Sequence, residues 1–174
     1  IEQQDGNSVV YSYKYEAGKP VLQSVDTESE AANPQISEKQ KQDFNDAYAG
    51  FKISDTMPDT DYLKAGGFGV AKIGNGKYNL NNQDENGLYY VMDMNGGRTY
   101  TNLNGESIRI SSFEGQVVEE GATQVTYSSG ENSNSIVYNK DGKPLQGFLI
   151  EQQDGNSVVY SYKYEAGKPV LQSV

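Results

Sequence analysis

The chain has 174 residues, the size of one ordinary domain or of one domain with an appendage. Its 24 acidic and 14 basic residues give a net charge of −10, which argues against nucleic acid and anionic membranes as partners. Cysteine and histidine are both absent, so disulfides, thiolate nucleophiles, and the commonest general base and metal ligand are excluded.

The first 25 residues of the chain are present twice. Ile1–Val25 returns letter for letter as Ile150–Val174, so the sequence holds one full period of 149 residues and the start of the next. Chance does not produce such identity over such a length. The repetition indicates a recent or an engineered tandem duplication.

Each copy contains a predicted strand with a row of tyrosines. In Val9–Glu16, apolar and polar side chains alternate, and this period of two predicts a half-buried strand. The row consists of Tyr11, Tyr13 and Tyr15 in the first copy, and of Tyr160, Tyr162 and Tyr164 in the second. It either packs on the core or forms a flat surface that stacks on carbohydrate or docks a protein, because tyrosine combines apolar area with a polar tip. The second possibility makes these six tyrosines candidate ligand-binding residues.

A linker and then a helix are predicted after the first copy. Residues 26–35 are acidic, nearly devoid of apolar side chains and contain a proline, which is typical of a linker between units. Ser37 and Gln40 form a capping box, which marks the start of a helix. Apolar residues then recur at helical spacing, at Phe44, Ala47, Tyr48 and Phe51. We therefore expect one short amphipathic helix, which Gly50 is placed to end.

The segment DTMPDTD follows the helix and is a candidate calcium site. Asp55, Asp59 and Asp61 have the spacing of oxygen ligands for this ion. The glycine and glutamate that complete an EF-hand loop are missing, so a solvated loop without a cofactor is the default interpretation. Calcium stays open as the one possible cofactor.

The rest of the chain is predicted to be antiparallel β-structure. Asn-Gly, Asp-Gly and related pairs recur at short, fairly even intervals after Gly66, and such pairs favour tight hairpin turns. Between them lie nine or ten runs of strand length rich in Tyr, Val, Ile and Thr. Leu88–Met94 is apolar on both faces except at Asp93, which indicates a central strand. The predicted fold is mainly β, an antiparallel meander, sandwich or barrel with one short N-terminal helix.

Few residues outside these patterns suggest catalysis. The acidic pairs Asp84-Glu85 and Glu119-Glu120, together with Asp93, are available for glycoside hydrolysis by paired carboxylates. Lys72 lies in an apolar run, where it either forms an intramolecular isopeptide bond or points outward as an edge lysine that discourages aggregation. Because histidine and cysteine are absent, we expect that the protein is not an enzyme.

The two copies differ in what precedes them. Strand-forming residues at 136–138 and 146–151 lead into the second copy, so its strands can pair with neighbours in sequence at little entropic cost. The first copy runs instead into the acidic segment. We predict a β-rich repeat domain at 36–174, a linker at 26–35, and a terminal hairpin of a preceding repeat at 1–25.

The exact duplication resembles the repeat regions of bacterial surface adhesins, where successive units project a binding tip from the cell. A weaker, local resemblance to the hairpin-type variant of MORN repeats lies in Tyr138–Pro169, whose Gly-Lys-Pro turns recur at Gly142 and Gly167. The first resemblance implies an extracellular spacer or adhesive module at the cell surface. Its partners would be neighbouring repeats and host glycan or protein, without membrane insertion. The alternative is a β domain that binds a glycan or small ligand.

Overall fold

The computed structural model describes residues 2–4, 7–28, 36–72, 76–78, 82–113 and 120–174, and within the first hairpin it describes side chains only for 14–20. The chain divides into two compact units, Ile1–Ser37 and Glu38–Val174.

The first unit is a three-stranded antiparallel sheet. Its strands are β1 (Glu2–Gln4), β2 (Asn7–Glu16) and β3 (Lys19–Glu28), paired in chain order. Ala17 and Gly18 join β2 to β3 with φ angles of 53° and 77°, the left-handed pair that a tight hairpin turn requires. β3 ends at Glu28, three residues beyond the predicted end of the hairpin at Val25. The remainder of the predicted linker, residues 29–35, lies outside the described residues.

The second unit combines two helices with a long sheet. The helices are α1 (Glu38–Gly50) and α2 (Thr60–Ala65). The strands are β4 (Asn82–Gln83), β5 (Tyr89–Met92), β6 (Arg98–Thr101), β7 (Ser107–Ser112), β8 (Thr123–Ser129), β9 (Asn132–Tyr138), β10 (Pro144–Gln153), β11 (Asn156–Glu165) and β12 (Lys168–Ser173). These nine described strands pair antiparallel in chain order, from β4 at one end to β12 at the other. The mainly-β fold with a meander of hairpins is therefore confirmed.

Two local predictions need correction. The predicted central strand at Leu88–Met94 is β5, which is second from the end of the sheet among the described strands. Only part of this run is buried: Leu88 and Tyr90 are 6% and 8% exposed, whereas Val91 and Met92 are 44% and 48% exposed. The DTMPDTD segment is not wholly a loop, because α2 begins within it at Thr60.

Four of the hairpin turns share one chemical design. The sequences DENG, DMNG, NLNG and NKDG begin at Asp84, Asp93, Asn102 and Asn139. In each turn the first side chain accepts hydrogen bonds from the backbone N–H groups two and four residues later, at 2.9–3.0 Å. The glycine at the fourth position has φ between 80° and 84°. An Asx side chain thus substitutes for backbone partners while the glycine takes the left-handed angle, so each turn is specified locally.

The core of the second unit lies between the helices and one face of the sheet, called here the inner face. Phe44 and Ala47 of α1 are 2% and 5% exposed, and Tyr48 and Phe51 pack against the same cluster, so the predicted apolar stripe is confirmed. The sheet contributes buried residues from most of its strands: Tyr90, Tyr100, Ile108, Val125, Ile136, Tyr138, Leu149, Tyr160 and Tyr162.

Buried polar groups hold the end of α1 on the sheet. The Asn134 amide donates a hydrogen bond of 2.9 Å to the carbonyl of Phe51, just after the helix. The Tyr138 hydroxyl donates one of 2.7 Å to the carbonyl of Ser54. Both carbonyls lie in the segment that follows α1, outside regular secondary structure, so these bonds give partners to backbone groups whose burial would otherwise cost free energy.

Candidate functional site

The tyrosine row of the second copy forms the floor beneath α1. Tyr160 and Tyr162 are each 2% exposed. The Phe44 ring lies over both, with centroid distances of 5.9 Å to Tyr160 and 5.2 Å to Tyr162. The Tyr48 hydroxyl is 2.7 Å from that of Tyr164. The predicted ligand-binding role is thereby corrected for Tyr160 and Tyr162, because rings packed in the core present no face to a ligand.

The environment keeps these tyrosines neutral. Burial raises the pKa of Tyr160, Tyr162 and Tyr164 above the ordinary tyrosine value, and the hydrogen bond with Tyr48 raises that of Tyr164 further. The Tyr162 hydroxyl donates a hydrogen bond to the Asn134 side chain. The row acts as a hydrogen-bonded aromatic layer rather than as a set of ionisable groups.

The first copy gives a partial view of the same row. Tyr15 is 66% exposed, whereas its counterpart Tyr164 is half-buried against the core. The side chains of Tyr11 and Tyr13 lie outside the described residues. Ligand stacking on the first copy therefore stays a prediction, and Tyr15 is the described tyrosine of this copy whose ring is exposed to a ligand.

The three aspartates of the candidate calcium site have separate roles. Asp59 is the N-cap of α2, and its Oδ1 accepts a hydrogen bond of 2.9 Å from the backbone N–H of Tyr62. Asp61 lies in the first turn of the same helix, where a negative charge is favourable. Asp55 lies 3.6 Å from the Lys52 amine. No three acidic side chains converge on a metal-sized space in the described part of the chain, so the predicted triad does not form a site.

Asp93, the most suggestive of the candidate catalytic acids, is a turn residue. Its Oδ1 accepts from the N–H groups of Asn95 and Gly97, and its Oδ2 accepts from Arg109 Nε at 2.6 Å. The Arg109 hydrogen bond, followed by these N–H groups, lowers the pKa of Asp93 to about 2. It is therefore ionised and committed to holding the turn, which removes it as a general acid.

The other candidate residues also have structural environments. Asp84 caps a turn and accepts a hydrogen bond from Tyr100; burial opposes its ionisation, but the hydrogen bonds outweigh burial and lower its pKa. Glu85 and Glu120 are exposed, and Glu119 lies outside the described residues. Lys72 is exposed and pairs with Tyr78 in an isolated bridge, which favours the edge-lysine interpretation over a buried isopeptide donor.

A groove on the opposite face of the sheet is the feature that sequence reasoning missed. This outer groove has a volume of about 240 Å³ and is lined by side chains of β8 to β12 together with Phe113. Val137, 4% exposed, and Phe148, 41% exposed, both line the groove. Gln146 pairs with both Val137 and Lys163, which places amide, apolar and amine groups in one cross-strand row.

The chemistry of the outer groove suits a small ligand with a flat apolar surface and hydroxyl groups. Ligand pockets usually enclose about 300–1,000 Å³, so this groove has room for little more than one sugar ring or one side chain. The sequence signal that could have found it is the loss of alternation. Ile136–Tyr138 and Phe148–Ile150 are apolar on both faces, whereas a one-sided sheet would place polar residues outward.

Comparison of the chain with protein-family models, with curated proteins and with solved structures finds no match in any of the three. No helix in the described part of the chain has the length and apolar character needed to cross a membrane. The function is therefore argued from the residues of the chain itself.

Proposed function

We propose that this chain is an extracellular repeat domain of a bacterial surface protein, acting as a spacer or adhesive module without enzymatic activity. The observation that carries the proposal is that the duplicated segment folds into the same hairpin twice. Ser12 pairs with Ser24 in the first copy, and Ser161 pairs with Ser173 in the second. The register shifts directly after Ser12 and directly after Ser161. Equal irregularities at equal positions support one structural role in successive units.

The pairing pattern of the sheet also suits a repeating array. Each described strand of the second unit bonds to its neighbours in sequence, so a unit is completed by local hairpins rather than by distant crossovers. Proteins built from such locally paired elements tolerate addition of further copies, because each element contacts only its neighbours. Serial duplication of a unit of this kind would lengthen the protein without disturbing the folds already present.

The site chemistry supports a non-enzymatic role. The carboxylates of Asp84 and Asp93 accept hydrogen bonds from backbone N–H groups of their turns. The tyrosines of the second copy, Tyr160 and Tyr162, are buried in the core. The chain supplies neither histidine nor cysteine as a general base or nucleophile.

Surface display can be tested on the source cells. Antibody raised against the whole chain should stain intact cells, and brief treatment of those cells with protease should remove the signal. A cytosolic protein stained only after lysis serves as the control. Staining of the chain only after lysis would rule out the proposed location.

Spacer and adhesive roles differ in a second measurement. Proteins carrying one, two and three periods in tandem should show a maximum dimension, by small-angle X-ray scattering, that grows by an equal step for each period if the unit is a spacer. An adhesive unit should instead make beads coated with the chain bind to a panel of host glycans and matrix proteins. If neither result is obtained, both roles are wrong.

The outer groove supports the alternative function, a β domain that binds a glycan or small ligand. Phe148, 41% exposed, and Lys163 both line the groove, so it offers an apolar ring and an amine to one ligand. Binding should weaken at least tenfold in Phe148→Ser and persist in Val91→Ser, an exposed apolar residue of β5. Monosaccharide titrations followed by NMR measure this, and equal affinities for the two variants would exclude the groove.

A further inference from the structure

The boundary between sequence copies falls inside a strand of the second unit. β10 runs from Pro144 to Gln153, and the duplicated segment begins within it at Ile150. The second copy therefore supplies the last part of β10 together with all of β11 and β12. In the first copy the corresponding pieces are β1, β2 and β3, and Glu2 pairs with Val9 as Glu151 pairs with Val158. The duplicated segment is thus a three-stranded end of the sheet.

The surface that receives the second copy is built entirely from residues that occur once in the chain. We call it the acceptor surface, and its residues are Phe44, Tyr48, Asn134, Gly147 and Leu149. Phe44 and Tyr48 lie over the tyrosine row, with ring centroids of Phe44 and Tyr162 5.2 Å apart and those of Tyr48 and Tyr162 5.7 Å apart. Leu149 is fully buried opposite Tyr160.

Gly147 makes the acceptor surface fit one particular ring. A Cβ at this position would lie 2.5 Å from Tyr162 Cζ and 2.6 Å from the Ser135 carbonyl oxygen. The missing side chain leaves room for the Tyr162 ring, whose hydroxyl reaches Asn134. An occupant therefore needs a tyrosine at this register position, and the first copy carries Tyr13 there.

The same 25 residues can make the same contacts whichever copy supplies them. The duplicated segments are identical and already adopt the same strand pairing and the same turn, with φ angles of 53° and 77° at Ala17 and Gly18 against 51° and 79° at Ala166 and Gly167. What favours the second copy is its covalent continuity with Leu149, which gives it a high effective concentration at the acceptor surface.

The chain length between the first copy and α1 allows the exchange within one molecule. Phe44 of α1 packs on Tyr160, with ring centroids 5.9 Å apart, and Tyr48 contacts Tyr164, so α1 begins near the end of the hairpin where β12 also ends. A first-copy hairpin in the same place would end at Val25 beside that point. Residues 26–37 would then connect Val25 to Glu38. Twelve extended residues span up to about 40 Å, which is far more than the distance across a few neighbouring strands, each about 4.8 Å from the next.

We propose that Ile1–Val25 is a second, interchangeable occupant of the acceptor surface in the same chain. When it docks, Ile150–Val174 leaves, and the unit becomes a circular permutant of the one seen here. In a tandem array the same exchange would pass a hairpin from its own unit to the helix of the following unit. This inference rests on the acceptor surface and the duplication, and not on where the protein resides.

The test weakens one copy and asks whether the other replaces it. In the full chain, Tyr162→Ala should lower the Tm of the second unit by less than half as much as Tyr13→Ala/Tyr162→Ala, because only the double variant lacks an intact replacement. Without exchange, loss of a buried aromatic ring costs a Tm shift on the order of 10 °C in both variants. Tyr13→Ala alone should leave that Tm unchanged.

Hydrogen exchange with mass spectrometry identifies the occupant directly, because the substitution makes the two copies distinguishable by mass. In Tyr162→Ala, amide protection should move from the second copy to the first. Leu171→Ala, paired with Leu22→Ala/Leu171→Ala, repeats the experiment with a milder change on β12 should the tyrosine variants unfold.

Two results would overturn the proposal. Equal loss of stability in the single and double variants of both pairs would show that the first copy never docks. Rescue accompanied by a doubled mass in light scattering would show that the replacement hairpin comes from a second molecule, and that the same-chain assignment is wrong.

Discussion

Replacing Phe44 with alanine should remove a large part of the stability of the second unit. Phe44 is 2% exposed, and its ring centroid lies 5.8 Å from Tyr48, 5.9 Å from Tyr160 and 5.2 Å from Tyr162. Truncation of a buried phenylalanine costs about 3–5 kcal/mol, and each aromatic pair contributes about 0.5–1.5 kcal/mol beyond the area it buries. Tyr48 and Tyr162 keep their contact with each other, so we expect a loss of about 4 kcal/mol.

That loss is large against the stability of a domain of this size, which is about 5–15 kcal/mol. It should appear as a lower urea midpoint with an unchanged slope, followed by far-UV circular dichroism and by tyrosine fluorescence, since the chain has no tryptophan. Because Phe44 serves either hairpin, the first copy cannot compensate for its loss, in contrast to the loss of Tyr162.

The matched control lies on the solvent side of the same helix. The Lys41 side chain is 54% exposed, with its amine 3.2 Å from Glu38, so Lys41→Ala should cost no more than about 0.5 kcal/mol. Ser37→Ala should fall between the two, at about 1 kcal/mol, through loss of the N-cap. If Phe44→Ala and Lys41→Ala have the same midpoint, α1 does not pack on the sheet and the account of the core is wrong.

Three further predictions concern a turn, a close contact and the candidate calcium site. The pKa of Asp93 is about 2 in the folded chain against an ordinary 3.8. The contribution of the Asp93 carboxylate to the free energy of unfolding is therefore complete above pH 4 and is lost as the pH falls toward 2. The urea midpoints of the wild type and of Asp93→Asn should differ at pH 7 and converge at pH 2. Gly147→Ala should cost about 1–3 kcal/mol by crowding Tyr162, whereas Gly50→Ala, with no atom within 4 Å of the new Cβ, should be neutral or slightly stabilising in the same urea titration. Asp59→Ala should lower the free energy of unfolding by about 1 kcal/mol through loss of the N-cap of α2, and by the same amount in millimolar calcium and in EDTA. If calcium instead raises the Tm of the wild type and this variant abolishes the rise, the segment does bind calcium.

Local chemistry explains why much of the fold is readable from the sequence. The helical spacing of Phe44, Ala47, Tyr48 and Phe51 defines α1 without reference to the rest of the chain. The Asn-Gly and Asp-Gly turns fix their hairpins in the same way, because the Asx side chain and the left-handed glycine act within five residues.

The features that could not be predicted from the sequence depend on contacts between distant parts of the chain. Alternation shows that Tyr160 and Tyr162 share a face, but which face α1 covers depends on a helix more than 100 residues away in sequence. The apolar run at Leu88–Met94 suggests burial, yet β5 lies next to the end strand, and only the completed order of strands reveals this. The outer groove depends on the register of five strands, so no single segment contains it.

The pairing pattern of the sheet also explains how a fragment of a repeat keeps its structure. Each described strand bonds to its neighbours in sequence, so removing strands from one end of the meander breaks one strand–strand interface and leaves the other strand pairs in place. The first copy, β1–β3, has the same strand pairing as the last part of β10 with β11 and β12. Because both copies hold the same strand pairing and the same register shift, either hairpin offers the same side chains to the acceptor surface, which is the basis of the proposed exchange.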